Sequence, residues 1–212
     1  MKYAFQKYAL ILAIAFVTTT QSWSQTNLQY SEAVLKIFEQ NYAIEKSGDF
    51  KKAIQQMMAV YQADSYEMNL RLGWLHYNAG MWNESKRYYG QALELLPYSE
   101  EARFGIILPL AAQADWDEVI KYYNQILANN PGNTVALYRL GMVHYGRKEW
   151  LLAARNFQKV VDLYPFGYDG LLMMAWTNLQ LGKTREAKVL FNKVLLYSPG
   201  DASAMEGLSL LK

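Results

Sequence analysis

Cysteine is absent from the 212-residue chain, and histidine occurs only twice. The lack of cysteine excludes a disulfide framework and a thiol for bacterial lipid attachment, but not an oxidising compartment. Charged residues make up only 19% of the chain, whereas hydrophobic residues make up 52%. The chain therefore has enough apolar side chains to bury a continuous core, and it lacks the charge runs and Pro/Ser/Gln-rich stretches of a disordered protein.

A strong excess of either charge is also missing, since 21 basic residues face 19 acidic ones. Lys2 and Lys7 lie in a segment that we expect to be removed, which leaves 19 residues of each sign. A neutral body has no counterion-release drive toward nucleic acid or anionic lipid. We therefore expect no nucleic acid partner.

The first two dozen residues have the pattern of an export signal, with a positive end, an apolar stretch over residues 8–17 and a polar exit. Small side chains at Ser22 and Ser24 favour cleavage before Gln25, so we predict a signal peptide over 1–24 and a short lead-in over 25–33. The alternative is a retained membrane anchor, but the apolar stretch is shorter than the roughly 20 residues that cross a bilayer. The mature chain is expected to lack a transmembrane segment and to be periplasmic or secreted.

Several types of residue recur at a constant interval of 34 residues. The columns are Pro97, Pro131, Pro165 and Pro199; Trp82, Trp116 and Trp150; Tyr89, Tyr123, Phe157 and Phe191; and Leu72, Ile106, Leu140 and Met174. An interval of this size indicates that one supersecondary unit is repeated along the chain.

The apolar spacing within each unit is helical, and turn signals arrive every dozen or so residues. We therefore predict pairs of short helices, with each proline closing a pair because it disfavours helical geometry in the residue before it. Asp49, Asn83 and Asp115 are predicted to cap the second helix of their pairs, since their oxygens can accept from the free amides of the first turn.

The repeated pattern resembles the tetratricopeptide repeat family, which places Leu-Gly in the first helix, Ala and an aromatic residue in the second, and Pro at the end. Leu140-Gly141, Ala153, Phe157 and Pro165 match it closely. The resemblance implies an all-α fold: a right-handed superhelix (α-solenoid) of about five helix-turn-helix repeats plus a C-terminal capping helix. We predict a degenerate repeat at 34–65, two residues short and without a closing proline. Repeats at 66–99, 100–133, 134–167 and 168–201 follow, and the capping helix spans 202–212.

The repeat at 100–133 departs from the pattern. Ile107 replaces the small residue of the first helix, and Gly105 is displaced from that position. Pro109 falls inside the helix, where it removes a hydrogen bond to the carbonyl of Gly105, so we predict a kink there. A tolerated irregularity and a functional bend both remain open as explanations.

The resemblance also implies that the first helices of successive repeats line a concave wall, and that function depends on this surface. By register, the wall-facing side chains are aromatic and aliphatic: Phe38, Tyr42, Leu70, Trp74, Tyr77, Phe104, Leu108, Tyr138, Met142, Tyr145, Leu172, Trp176 and Leu179. Trp74 and Trp176 are the two that we expect to face outward most clearly. The alternative for each residue is that it packs into the core between helices.

The family's best-known peptide mode clamps a terminal carboxylate with lysine, arginine and asparagine. The wall offers Lys46, Asn78 and Gln180 but mainly rings and aliphatic chains, which favours a hydrophobic peptide or an amphipathic helix. Two hypotheses follow. The first is a scaffold that holds a segment of another envelope or secreted protein, and the second is a structural subunit that self-assembles through the same surface or the capping helix.

Features that suggest chemistry are weak, so we predict no enzyme activity, metal or cofactor. His76 and His144 occupy the same register two repeats apart, too far to share a metal. Gly182-Lys183-Thr184 lacks the earlier glycine of a phosphate loop and lies at a turn between helices. The acidic cluster over residues 115–118 is better explained as helix-start chemistry than as a calcium loop.

Overall fold

The computed structural model describes residues 30–211, and this part of the chain consists of α-helices joined by turns. The predicted signal peptide and most of the lead-in lie outside the described residues. Eleven helices are present between residues 30 and 211: α1 Glu32–Lys46, α2 Phe50–Met58, α3 Tyr66–Asn78, α4 Trp82–Leu95, α5 Glu100–Ala112, α6 Trp116–Asn129, α7 Thr134–Gly146, α8 Trp150–Leu163, α9 Tyr168–Gln180, α10 Thr184–Tyr197 and α11 Ala202–Ser209.

The helices form five antiparallel pairs followed by α11, and each helix packs against its neighbours in sequence. Contacts also join first helices of adjacent pairs, as between α3 and α5, and α11 packs against both helices of the last pair. Buried apolar clusters follow one another along the whole array. This arrangement confirms the predicted all-α solenoid, in which a pair gains its core from its neighbours.

The first pair differs from its prediction. Helix α1 begins at Glu32, which is 34 residues before the start of α3 and not at residue 34. The pair is irregular inside, because α1 has 15 residues and α2 only 9, against 13 and 14 in the next pair. The interval between pairs is therefore kept, and the missing residues come from the second helix.

The predicted caps at Asp49 and Asp115 are present, since their carboxylates accept from the amides of Lys52 and Glu118. The cap predicted at Asn83 is wrong: α4 begins one residue earlier, and its cap residue Met81 offers no side-chain acceptor. The amide oxygen of Asn83 instead accepts a hydrogen bond from Gln113 Nε2 at 3.1 Å.

The turn inside each pair contains one residue in the left-handed region. Glycine occupies this position at Gly48, Gly80 and Gly182, but Ala114 and Lys148 take it with φ values of 57° and 60°. A side chain in this conformation is strained because its Cβ crowds the backbone.

The displaced glycine of the 100–133 repeat has a packing reason. Gly105 lies against the ring of Tyr89 from the preceding repeat, and a Cβ built on Gly105 would come within 2.2 Å of Tyr89 Cε1. Gly73 flanks the other face of the same ring, where a Cβ would meet Tyr89 Cγ at 2.8 Å. Tyr89 is thus held between two first helices. Pro109 is buried within α5, which continues through it to Ala112.

Hydrogen bonds of one kind join successive pairs. A residue at or just before the start of one first helix bonds the cap residue of the next first helix. The bonded pairs are Tyr30 with Ser65, Tyr66 with Ser99, Glu100 with Asn133 and Tyr168 with Asp201, each at 2.7 Å. Because the same cap residues also accept from the first-turn amides of their helices, each bond ties helix capping to the stacking of repeats.

Candidate protein-binding groove

A cavity of ≈ 1260 Å³ lies along the concave side of the array. Its wall consists of α1, α3, α5 and α7, the first helices of four successive pairs, and its floor includes Tyr89 and Tyr123 from α4 and α6. Most of the side chains that surround it are aliphatic or aromatic. We call this cavity the groove.

Eight of the predicted wall residues line the groove: Phe38, Tyr42, Leu70, Trp74, Tyr77, Phe104, Leu108 and Met142. Trp74 is 37% exposed, and its indole Nε1 donates to Glu45 Oε1 at 2.7 Å. This hydrogen bond holds the ring at the entrance, close to Tyr77 at a ring separation of 6.1 Å. The expectation that Trp74 faces outward is met by this position.

Five predicted wall residues are not part of the groove. Tyr138 packs against the ring of Phe157 and Tyr145 against that of Trp150. Leu172, Trp176 and Leu179 pack into the core of the last pair and α11. The prediction for Trp176 is wrong because α11 covers it: its Nε1 donates to Ser203 Oγ at 2.9 Å, and its ring stands edge-on to Phe191 at 5.2 Å.

The floor of the groove carries two phenol hydroxyls. Tyr89 and Tyr123 are 3% and 7% exposed, and their hydroxyls bond no other residue of the segment 30–211. Burial raises the pKa of both, so the hydroxyls stay protonated and can donate. Phe157 and Phe191 occupy the same register in the repeats beyond the groove. The hydroxyl is therefore not required for packing at this position.

Sequence analysis missed three arginines that line the groove, Arg71, Arg139 and Arg147. The guanidinium of Arg71 pairs with Glu45 at 2.5 Å, bonds Asn41 at 2.9 Å and lies 4.2 Å from the centre of the Tyr42 ring. The signal available in the sequence was the interval, since Arg71 and Arg139 stand two repeats apart.

Arg147 and Arg139 differ in their surroundings. Arg147 pairs with Asp117 at 2.7 Å and with Glu149 at 3.0 Å, so two carboxylates balance its charge. Arg139 is exposed, and none of the ion pairs found within residues 30–211 includes it.

Two carboxylates, Glu67 and Glu101, lie at the edge of the groove in the first turns of α3 and α5. Burial acts to raise the pKa of Glu67, but hydrogen bonds from Tyr30, its own amide and Ser65 outweigh burial and lower it below its ordinary value. Glu67 is therefore ionised at neutral pH, and this edge of the groove is negative.

The two histidines have local partners. His76 is buried, its Nδ1 donates to the carbonyl oxygen of Leu72 at 2.8 Å, and its ring packs on Tyr88. His144 pairs with Glu149 at 2.5 Å. Within residues 30–211 no three His, Cys, Asp or Glu side chains converge as a metal site. In the same part of the chain no helix has the length and apolar character needed to cross a membrane.

Curated relatives share this repeat sequence. The human peptidyl-prolyl cis-trans isomerase FKBP4 is 27% identical over 159 residues, which are 75% of this chain and 31% of that enzyme. The mouse enzyme of the same name is 24% identical over 184 residues. The chain spans about a third of the length of these relatives, and the match lies in their repeat region and not in their isomerase domain.

Solved structures share the fold. A tetratricopeptide repeat protein from Parabacteroides merdae aligns with a TM-score of 0.73 at 20% identity, over 85% of this chain and 73% of that one. MamA from Desulfovibrio magneticus aligns with a TM-score of 0.68 at 17% identity, over 81% of this chain and 98% of that one. At this level of identity the likeness is one of architecture.

Family models described as tetratricopeptide repeat match residues 70–134, 108–168 and 169–201. The matched residues cover four of the five helix pairs, including most of the wall of the groove. The chain therefore belongs to the tetratricopeptide repeat family and has the architecture of a protein-interaction scaffold.

Proposed function

We propose that the protein is a non-catalytic scaffold of the cell envelope that binds a hydrophobic peptide or amphipathic helix of another protein in its groove. The observation that carries this proposal is the ≈ 1260 Å³ cavity, whose wall combines apolar side chains from four successive first helices. Trp74, Met142 and Tyr42 contribute to it and stay partly exposed. Exposed contiguous apolar surface usually marks an interaction site, and each such side chain stabilises a complex by about 1.5–3 kcal/mol when fully buried.

The length of the groove suits a short helix. Four first helices lie side by side, and adjacent axes are about 8–10 Å apart, so the wall extends over about 24–30 Å. A helix of about 16–20 residues has this length at 1.5 Å per residue. The partner segment is thus comparable in size to one repeat helix.

The envelope location rests on the pattern of residues 1–24, which lie outside the described part of the chain, and on the absence of cysteine. Export with cleavage before Gln25 is the expected outcome. The mass of the protein purified from fractionated cells tests it. An intact N-terminus in the cytoplasmic fraction would contradict the location without affecting the groove.

Site-specific photocrosslinking in whole cells tests the groove. A photoreactive phenylalanine analogue replaces Met142, which lines the groove, or Leu152, which lies on α8 outside it, at 38% and 39% exposure. We expect a discrete adduct with a second protein from position 142 and none from position 152. Trp74→Ala should abolish the adduct, whereas Trp82→Ala, a tryptophan of similar exposure outside the groove, should not. Equal adducts from both positions would contradict the proposal.

A second candidate is self-assembly, and exposed side chains outside the groove favour it. Leu163, Tyr164, Phe166, Leu196 and Tyr197 are all exposed at the ends of α8 and α10, and the rings of Phe166 and Tyr197 lie 5.5 Å apart. Met205 and Leu210 at α11 are exposed as well. Sedimentation at low micromolar concentration decides: a dimer that Phe166→Ala with Tyr197→Ala dissociates supports self-assembly, and a monomer contradicts it.

A further inference from the structure

We propose that the groove selects a partner segment that carries an acidic side chain between its apolar anchors, and that Arg139 binds this carboxylate. The inference rests on the proposed function and names the chemistry of the segment. It begins from the three arginines of the groove, of which two are already paired inside the chain.

Arg139 lies on the exposed face of α7 between two apolar contacts. Val135 stands one turn before it and Met142 one turn after it, and all three line the groove. Both apolar side chains are exposed, at 57% and 38%. A segment that covers Val135 and Met142 must therefore also cover Arg139. Covering an unpaired guanidinium is costly unless the segment supplies an acceptor.

The comparison of Arg139 with Arg71 shows what is missing. The two arginines occupy the same register two repeats apart, each on a first helix next to the first helix of the preceding repeat. Arg71 receives its partners Glu45 and Asn41 from α1. The positions equivalent to these two in α5 and its C-cap are Gln113 and Pro109.

Neither replacement can balance Arg139. Proline has no side-chain acceptor, and the amide of Gln113 is neutral and donates to Asn83. An arginine that is paired internally at one repeat has thus lost its carboxylate at the other. A carboxylate of the bound segment restores the same pairing, and a guanidinium is well suited to bind it with two parallel hydrogen bonds.

The other charges of the groove limit where the acid can lie. Glu67 and Glu101 make the edge at α3 and α5 negative. A uniformly acidic segment is therefore disfavoured, because like charges repel across an interface. The segment that fits has its acidic side chain over α7 and neutral or basic residues over α3 and α5. This pattern also fixes the direction in which the segment lies.

Selection from a peptide library tests the proposal. Random 16-residue peptides, displayed with their C-termini fused to the carrier so that no terminal carboxylate is free, are selected on the purified mature chain. Parallel selections use Arg139→Glu and the control Arg155→Glu, an exposed arginine on α8 outside the groove. Far-ultraviolet circular dichroism confirms that each variant is folded.

We expect the unaltered chain and Arg155→Glu to enrich Asp or Glu between apolar residues, and Arg139→Glu to enrich Lys or Arg at that place. A synthetic peptide from the first selection should bind about tenfold more weakly after Glu→Gln in the peptide or Arg139→Gln in the protein, about the effect of losing one charge-assisted pair.

Three results overturn the inference. Apolar peptides without an acidic preference, or the same peptides on Arg139→Glu, remove the role of Arg139 and leave the groove as a hydrophobic site. An acidic preference that appears only in synthetic peptides with a free C-terminus assigns the site to a terminal carboxylate. A dimer of the unaltered chain that Arg139→Glu dissociates assigns the acid to a second copy. If no peptide is enriched over a Trp74→Ala selection, the proposed function itself fails.

Discussion

The contact between Gly105 and Tyr89 leads to a sharp prediction about stability. A Cβ at Gly105 would lie 2.2 Å from Tyr89 Cε1 and 2.6 Å from Cδ1, well inside van der Waals contact. The ring cannot retreat, because Gly73 lies against its other face and Tyr89 is only 3% exposed. Gly105→Ala should therefore displace α5 relative to α4.

The expected magnitude is a difference between two effects. Replacing glycine by alanine inside a helix stabilises by about 0.5–1 kcal/mol. Overpacking a core costs about 1–3 kcal/mol, and the short contact here places the cost at the upper end. The net loss should be about 2 kcal/mol. At a slope of about 2 kcal/mol per molar urea, the midpoint of unfolding falls by about 1 M.

Urea unfolding followed by circular dichroism measures this loss. Gly90→Ala is the matched control, since Gly90 lies within α4 and a Cβ there meets nothing within 4 Å. It should raise the midpoint. In a Tyr89→Leu background, Gly105→Ala should cost less, and the double-mutant cycle gives the coupling. If Gly105→Ala matched Gly90→Ala, the ring would not lie against the glycine and the packing argument would be refuted.

Three further predictions concern the turns, the repeat-to-repeat bonds and pH. Lys148→Gly should raise the free energy of unfolding by up to about 1 kcal/mol by relieving left-handed strain, whereas Lys159→Gly within α8 should lower it by about 1 kcal/mol; equal effects in urea unfolding would contradict this. Tyr168→Phe removes the donor to Asp201 and should cost about 1 kcal/mol, seen as faster amide exchange in α11; unchanged exchange argues against the bond. Burial lowers the pKa of His76 despite the Leu72 carbonyl and Glu84, while Arg87 lowers it further. The unfolded chain therefore binds the proton first, and stability should fall as pH drops below about 6.5; His76→Asn should flatten this slope, and a persisting slope contradicts the assignment.

Local patterns predicted the fold because each depends on residues close in sequence. Helical spacing, turn glycines and the interval of 34 residues identify helix pairs, and pairs of equal length can bury their apolar faces only by stacking. The cap predicted at Asn83 failed because a change of one residue in the helix start was enough to move it inside α4. The displacement of Gly105 had no explanation until the ring of Tyr89 was found against it.

The limits of the groove were beyond a register argument. Trp74 and Trp176 stand at the same place in their repeats, yet one lines the groove and the other lies under α11. Arg71 and Arg139 are equally indistinguishable by register, and only their neighbours on α1 and α5 separate a paired guanidinium from an unpaired one. The chain's own periodicity thus specifies helices and their stacking, because those depend on near neighbours. Exposure and charge balance depend on which helix lies alongside, and the packed array alone decides them.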